Sequence, residues 1–138
     1  MDTHRFALIL IDVALLLALG LYTAAGLRHV PFHGDEATFV HMSRDYDTLT
    51  HQGDPGRLHY RRPLWRSELQ YLRMMNGTIN PYSIGLAWDL AGYRVHDLNH
   101  NWEWIEEPPG PWDQWGLNIR AGNKPHDDLL AVARIPST

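Results

Sequence analysis

Hydrophobic and polar positions divide this chain sharply near residue 27. From Phe6 to Leu27 the sequence is apolar apart from Asp12, the only charge in the run. At 1.5 Å per residue this stretch reaches about 33 Å as a helix, enough for a hydrocarbon core of about 30 Å. A transmembrane helix is therefore expected. The alternative is a cleaved signal peptide, since Arg5 gives a basic start and Thr23-Ala24-Ala25 resembles a cleavage site; the run, however, exceeds the usual apolar region of about 7 to 15 residues. Asp12 is costly in lipid, so it either meets a neighbouring helix or reaches the interface, or is protonated.

Beyond Leu27 the pattern becomes that of short amphipathic helices. Pro31 and Gly34 stop the apolar helix from continuing. Asp35 is then expected to cap a new helix, with Glu36 in its first turn and Phe39, Val40 and Met42 supplying apolar surface as far as Tyr46. Asp45 to Gly56 reads as a polar, turn-rich connection. Leu64, Trp65, Leu69, Leu72, Met74 and Met75 recur at helical spacing from Pro63 to a stop at Asn76-Gly77. Pro81 opens a further helix through Ile84, Leu86, Ala87, Trp88 and Leu90 to Gly92. Tyr93 to Lys124 shows little periodicity and holds Trp102, Trp104, Trp112, Trp115, Pro108, Pro109 and Pro111, so a long Trp-rich loop is expected. A last helix runs from Pro125 through Leu129, Leu130, Val132 and Ala133 to Pro136. The fold class is mainly α: one N-terminal transmembrane segment over residues 1–27, then one small domain of short juxtamembrane helices over residues 28–138, with no convincing strands.

Composition narrows the chemistry. The chain has 138 residues, a formal net charge of −4 and a single Lys, which argues against a broad nucleic-acid surface. It has no Cys, so disulfides and thiolate chemistry are excluded. Its one basic cluster is Arg57, Arg61, Arg62 and Arg66. The guanidinium fork suits bidentate contact with a phosphate, but the same residues also suit anionic headgroups or surface ion pairs. Asp35 and Glu36 read either as a proton acceptor, or holder of a divalent metal, beside a tuning carboxylate, or as a cap and a dipole-favoured neighbour. His96 and His100 in His96-Asp97-Leu98-Asn99-His100 have metal-ligand spacing without a helical stripe or third ligand, and Pro31 separates His29 from His33. Neither pair makes a metal site by spacing alone. The tryptophans suit sugar stacking, an interface or packing within the loop, and Asn76-Gly77-Thr78 matches a glycosylation acceptor. Arg5 and Arg28 balance, so charge does not orient the segment.

One resemblance ties these features together. His33-Gly34-Asp35-Glu36-Ala37-Thr38-Phe39, directly after a span, resembles the first extracytoplasmic loop of GT-C glycosyltransferases of the protein O-mannosyltransferase and dolichyl-phosphate-mannose mannosyltransferase type. Met74 to Tyr82 and Gly85-Leu86-Ala87-Trp88 look like the same loop in bacterial members. The resemblance implies that Asp35, beside Glu36, is the base or metal ligand in transfer of a sugar from a polyprenyl phosphate at the outer membrane face; the phosphate of such a donor is what the guanidinium geometry of Arg57, Arg61, Arg62 and Arg66 would suit. It also implies that residues 28–138 are extracytoplasmic, and the one apolar run makes the expected protein a single-pass one of the cell membrane. Family members carry many spans, the second beginning near the position of Thr138, so this segment alone is expected to be inactive. Two functions follow: the N-terminal segment of such an enzyme, completed by other transmembrane helices, or an accessory subunit of a larger membrane complex.

Overall fold

The computed structural model describes residues 3–104 and 111–137. Among these, regular structure is entirely helical. The elements are α1 (Thr3–Gly26), α2 (Gly34–Met42), α3 (Arg44–Thr50), α4 (Glu68–Asn76), α5 (Ile79–Leu90), α6 (Pro111–Arg120) and α7 (Asp127–Arg134), with short 3-10 turns at Pro55–Leu58, Leu64–Arg66, Val95–Asp97 and Ile135–Ser137. The chain forms two compact units, residues 1–31 with 138 and residues 32–137.

In the first unit, α1 is long and apolar enough to cross a membrane. Leucines around its circumference are exposed, among them Leu8, Leu16, Leu17 and Leu21. A soluble surface helix would show one apolar stripe and one polar face. The Thr23 hydroxyl donates to the carbonyls of Leu19 and Gly20, so its polar group is satisfied within the helix.

The second unit is built on α5. Trp88 is fully buried and Ile84 nearly so, and they meet Val40 from α2, Leu98, and Leu129 and Ala133 from α7. Gly85 lets α3 close on α5, because any Cβ there would overlap the Tyr46 side chain. Tyr46 then meets the Trp88 ring edge to face, with centroids 5.7 Å apart. The Trp88 indole N–H donates to Ser43 Oγ at 2.9 Å, and Ser43 Oγ donates to the Val40 carbonyl at 2.6 Å. This gives the largest core side chain the polar partner that burial demands.

Several boundaries differ from the expected ones for local reasons. α3 occupies a stretch expected to be a polar connection; it buries Asp45, Asp47 and Thr48 rather than an apolar stripe, so periodicity did not reveal it. The expected helix from Pro63 is divided: Leu64–Arg66 forms a 3-10 turn, and Ser67 caps α4 by accepting the Gln70 N–H. α5 begins at Ile79, two residues before Pro81. The expected Trp-rich loop contains the Val95–Asp97 turn and α6. Pro108, Pro109 and the Trp112 side chain lie outside the described residues. Trp102, buried, packs with Phe32 and Trp115 at centroid distances of 5.3 and 5.0 Å, whereas Trp104 is exposed. Buried Asn99 and Asn118 fasten this segment: Asn99 Nδ2 donates to the Ala37 and Asn123 carbonyls, and Asn118 Oδ1 accepts from the Glu103 N–H.

Candidate anion-binding site

The carboxylates of α2 are placed by its first turn. His33, not Asp35, is the N-cap: its Nδ1 lies 3.3 Å from the Asp35 N–H, and its own N–H donates to Glu36 Oε2 at 2.8 Å. Asp35 and Glu36 are therefore the second and third helical residues, a reciprocal capping arrangement. Glu36 is further held by Arg134 of α7, which donates from Nε to Oε1 at 2.6 Å and from Nη2 to Oε2 at 2.9 Å. Both Glu36 oxygens are thus occupied in joining α2 to α7. The Asp35 side chain is 63% exposed and has His33 Nδ1 at 3.3 Å. A divalent ion at Asp35 would find His33 as its neighbouring donor, and no group of three or more His, Asp or Glu is placed to hold a metal among the described residues. Gly34 has Trp102 against it: a Cβ at this position would lie 2.8 Å from the indole nitrogen.

The arginine cluster has a different setting. Arg57, Arg61 and Arg66 line one cavity of about 510 Å³, together with Arg73, His41, Asp45, His59 and Glu68. Arg62 is not part of its lining. The wall is set by Gln70, which is 4% exposed. Its Oε1 accepts the Arg61 N–H at 2.8 Å, and its Nε2 donates to the carbonyls of Arg61, Pro63 and Leu64 between 2.8 and 3.0 Å. One buried amide side chain thereby fixes the loop that carries Arg61 against the start of α4. The Arg62-Pro63 bond in this loop is cis. On the other side, Arg57 donates to Gln52 Oε1 at 2.7 Å, and Gln52 donates to Asp47 Oδ2 at 2.6 Å.

Charge around the cavity is unbalanced. Arg73 is bidentate to Asp45, at 2.9 and 2.8 Å to its two oxygens. Burial raises the Asp45 pKa, and the Arg73 hydrogen bond and charge and nearby His41 oppose this only in part. Arg57, Arg61 and Arg66 have no carboxylate partner among the described residues, whereas Arg73, Arg94 and Arg134 each have one. Four arginines therefore face two lining carboxylates, Asp45 and Glu68. Such a pocket favours an anion, because each unmatched guanidinium offers planar paired donors. Compared with known proteins, the chain matches no family model, no curated protein and no solved structure.

His41 is the residue of this site that sequence reading passed over. It is buried on α2, with Nδ1 3.5 Å from the Asn99 carbonyl and Nε2 3.5 Å from Glu68 Oε2. The Nε2 separation is too long for a good hydrogen bond, and that atom is buried without a partner. Burial, foremost, lowers the His41 pKa, with Glu68 pulling it up and Arg44 and His100 pushing it down. Neither Asp45 with Arg73 nor His41 with Glu68 carries a local sequence signal, since each pair joins residues 27 or more positions apart. The other histidine pairs do not converge. His96 is exposed in the Val95–Asp97 turn beside Asp97, so His96 and His100 share no helical face. His29 and His33 fall in different compact units.

Proposed function

We propose that the domain of residues 32–137 holds the phosphoryl group of a lipid-linked sugar donor in the arginine cavity, as the N-terminal part of a GT-C-like glycosyltransferase. The observation that carries this reading is the convergence of Arg57, Arg61 and Arg66 on one cavity without carboxylate partners among the described residues. A cavity of about 510 Å³ falls within the roughly 300 to 1,000 Å³ range of small-ligand sites. The apolar α1 supplies the membrane anchor that brings the domain to a polyprenyl phosphate. In the transfer, the bond between the sugar's anomeric carbon and the phosphate oxygen breaks and its electron pair leaves on the lipid phosphate. The acceptor hydroxyl forms the new bond to that carbon and gives its proton to exposed Asp35, while Glu36 holds the start of α2 in place. Further transmembrane helices, in a longer chain or another subunit, complete the enzyme. The test is transfer by the assembled membrane complex supplied with lipid-linked sugar: Asp35→Asn abolishes it in this account, and unchanged transfer removes Asp35 from the mechanism.

A second reading, a single-span accessory subunit, is favoured by unpartnered apolar side chains. Trp65, Ile79 and Leu90 are 76, 84 and 80% exposed, and Met74 and Met75 are largely so. A surface of this kind suits burial against a protein partner. Stoichiometric copurification with a membrane complex that contains no sugar-transfer component supports it over the enzyme reading.

A further inference from the structure

His41 is posed between two protonation states by its surroundings. Nδ1 lies 3.5 Å from the Asn99 carbonyl and Nε2 3.5 Å from Glu68 Oε2, so both ring nitrogens face acceptors: the neutral ring, with one N–H, can serve only one of them, and the protonated ring can serve both. Nε2 is buried without a hydrogen-bond partner, with Glu68 Oε2 as the nearest acidic oxygen. The other charged groups around the ring come from each neighbouring element. Arg44 from α3 is anchored to the Val95, Leu98 and Asn99 carbonyls; Asp45, also from α3, is neutralised by Arg73 of α4; and His100 lies beyond the Val95–Asp97 turn. Burial, foremost, and Arg44 push the His41 pKa down, while Glu68 and the Asn99 carbonyl push it up. An anion on Arg57, Arg61 and Arg66 adds negative charge to the cavity that His41 and Glu68 also line.

We infer that His41 is a ligand-sensing residue of this cavity: binding of a phosphoryl-type oxyanion is accompanied by proton uptake on His41 Nε2, which then bridges Glu68 and screens that carboxylate from the anion. The inference rests on the proposed reading of the cavity as an anion site, and it adds the proton. Its consequence is an affinity that rises as the medium is acidified, by up to about tenfold per pH unit where one proton is taken up.

The experiment is calorimetric titration of the full chain in detergent micelles with inorganic sulfate, whose own charge is constant from about pH 5 to 8. Measuring in two buffers of different ionisation enthalpy gives the protons taken up per anion. Uptake approaching about one proton near neutral pH is expected in the native chain and in His96→Gln, whose ring is exposed outside the cavity, and its loss in His41→Gln, with sulfate still binding. In parallel, NMR of the native chain follows the His41 ring directly: sulfate is expected to move its titration to higher pH, a result that needs no substitution to be tolerated. Sulfate binding without proton uptake, or uptake that survives in a folded His41→Gln, overturns the role of His41 and leaves the arginine site standing. Absence of sulfate binding at every pH overturns both.

Discussion

The start of α2 and the arginine cavity are both clusters of like charge, yet the fold treats them differently. At α2, Glu36 is consumed by structure: one carboxylate closes the capping arrangement and anchors Arg134. Around the cavity, Arg73 is matched to Asp45, while Arg57, Arg61 and Arg66 remain without acidic partners among the described residues. A charge already satisfied inside the protein contributes stability and has little left for a ligand; an unmatched one does the reverse. The contrast makes the arginines the better candidates for a ligand and leaves Asp35, exposed and beside only His33, as the carboxylate of its pair that no arginine holds.

Substitutions on the two sides sharpen that contrast. The largest effect is expected for Arg73→Ala, which strands buried Asp45 without its partner; a loss of about 3 to 5 kcal/mol of stability should appear in urea unfolding of the full chain in micelles. Arg61→Ala with Arg66→Ala should spare stability, within about 0.5 kcal/mol, because both side chains are exposed and neither has a carboxylate partner among the described residues, the Arg61 side chain making only a long contact to the Gly56 carbonyl. The same pair should weaken anion binding by about 2 to 3 kcal/mol, the scale of a lost charged hydrogen bond. Glu36→Gln keeps the shape but weakens the hold on Arg134 and should cost about 1 to 2 kcal/mol, whereas Asp35→Asn should cost no more than about 0.5 kcal/mol. Equal losses for the two carboxylate variants would erase the distinction drawn between them.

Acidification gives the smallest and most specific effect. Because folding lowers the His41 pKa below its usual 6.5, the stability from keeping that ring neutral is fully present above about pH 6.5 and is lost as pH falls through the folded value. Asp45 has the opposite sign: its pKa is raised, so its contribution is present below the usual 3.8 and is lost as pH rises through the folded value. The urea midpoint of the ligand-free chain should therefore fall between pH 7 and 5.5, and His41→Gln should flatten that part of the curve.

How much of this was legible from residues alone follows from the range of the interactions. α1, α4, α5 and α7 announce themselves by apolar spacing and by Ser, Pro or Gly at their ends. α3 does not, because what it buries is Asp45, Asp47 and Thr48, whose partners lie elsewhere in the chain. α6 was hidden by the prolines and tryptophans around it. The arginine cluster was visible as a local run, but its cavity depends on Gln70 gathering three carbonyls and on His41, neither of which stands out in sequence. Asp35 reads as the cap in sequence, but the fold gives that place to His33, and it is Arg134, 98 residues beyond Glu36, that ties Glu36 down.

The central claim is that the unmatched arginines bind the phosphoryl group of a membrane lipid. Its most direct test is equilibrium titration of the full chain with nanodiscs of neutral lipid containing polyprenyl phosphate, against the same discs with the unphosphorylated polyprenol. The account predicts tighter binding to the phosphate discs in the native chain, and loss of that difference in a folded chain carrying Arg61→Ala and Arg66→Ala. Equal binding to both discs, or a phosphate preference that survives the double substitution, would contradict it.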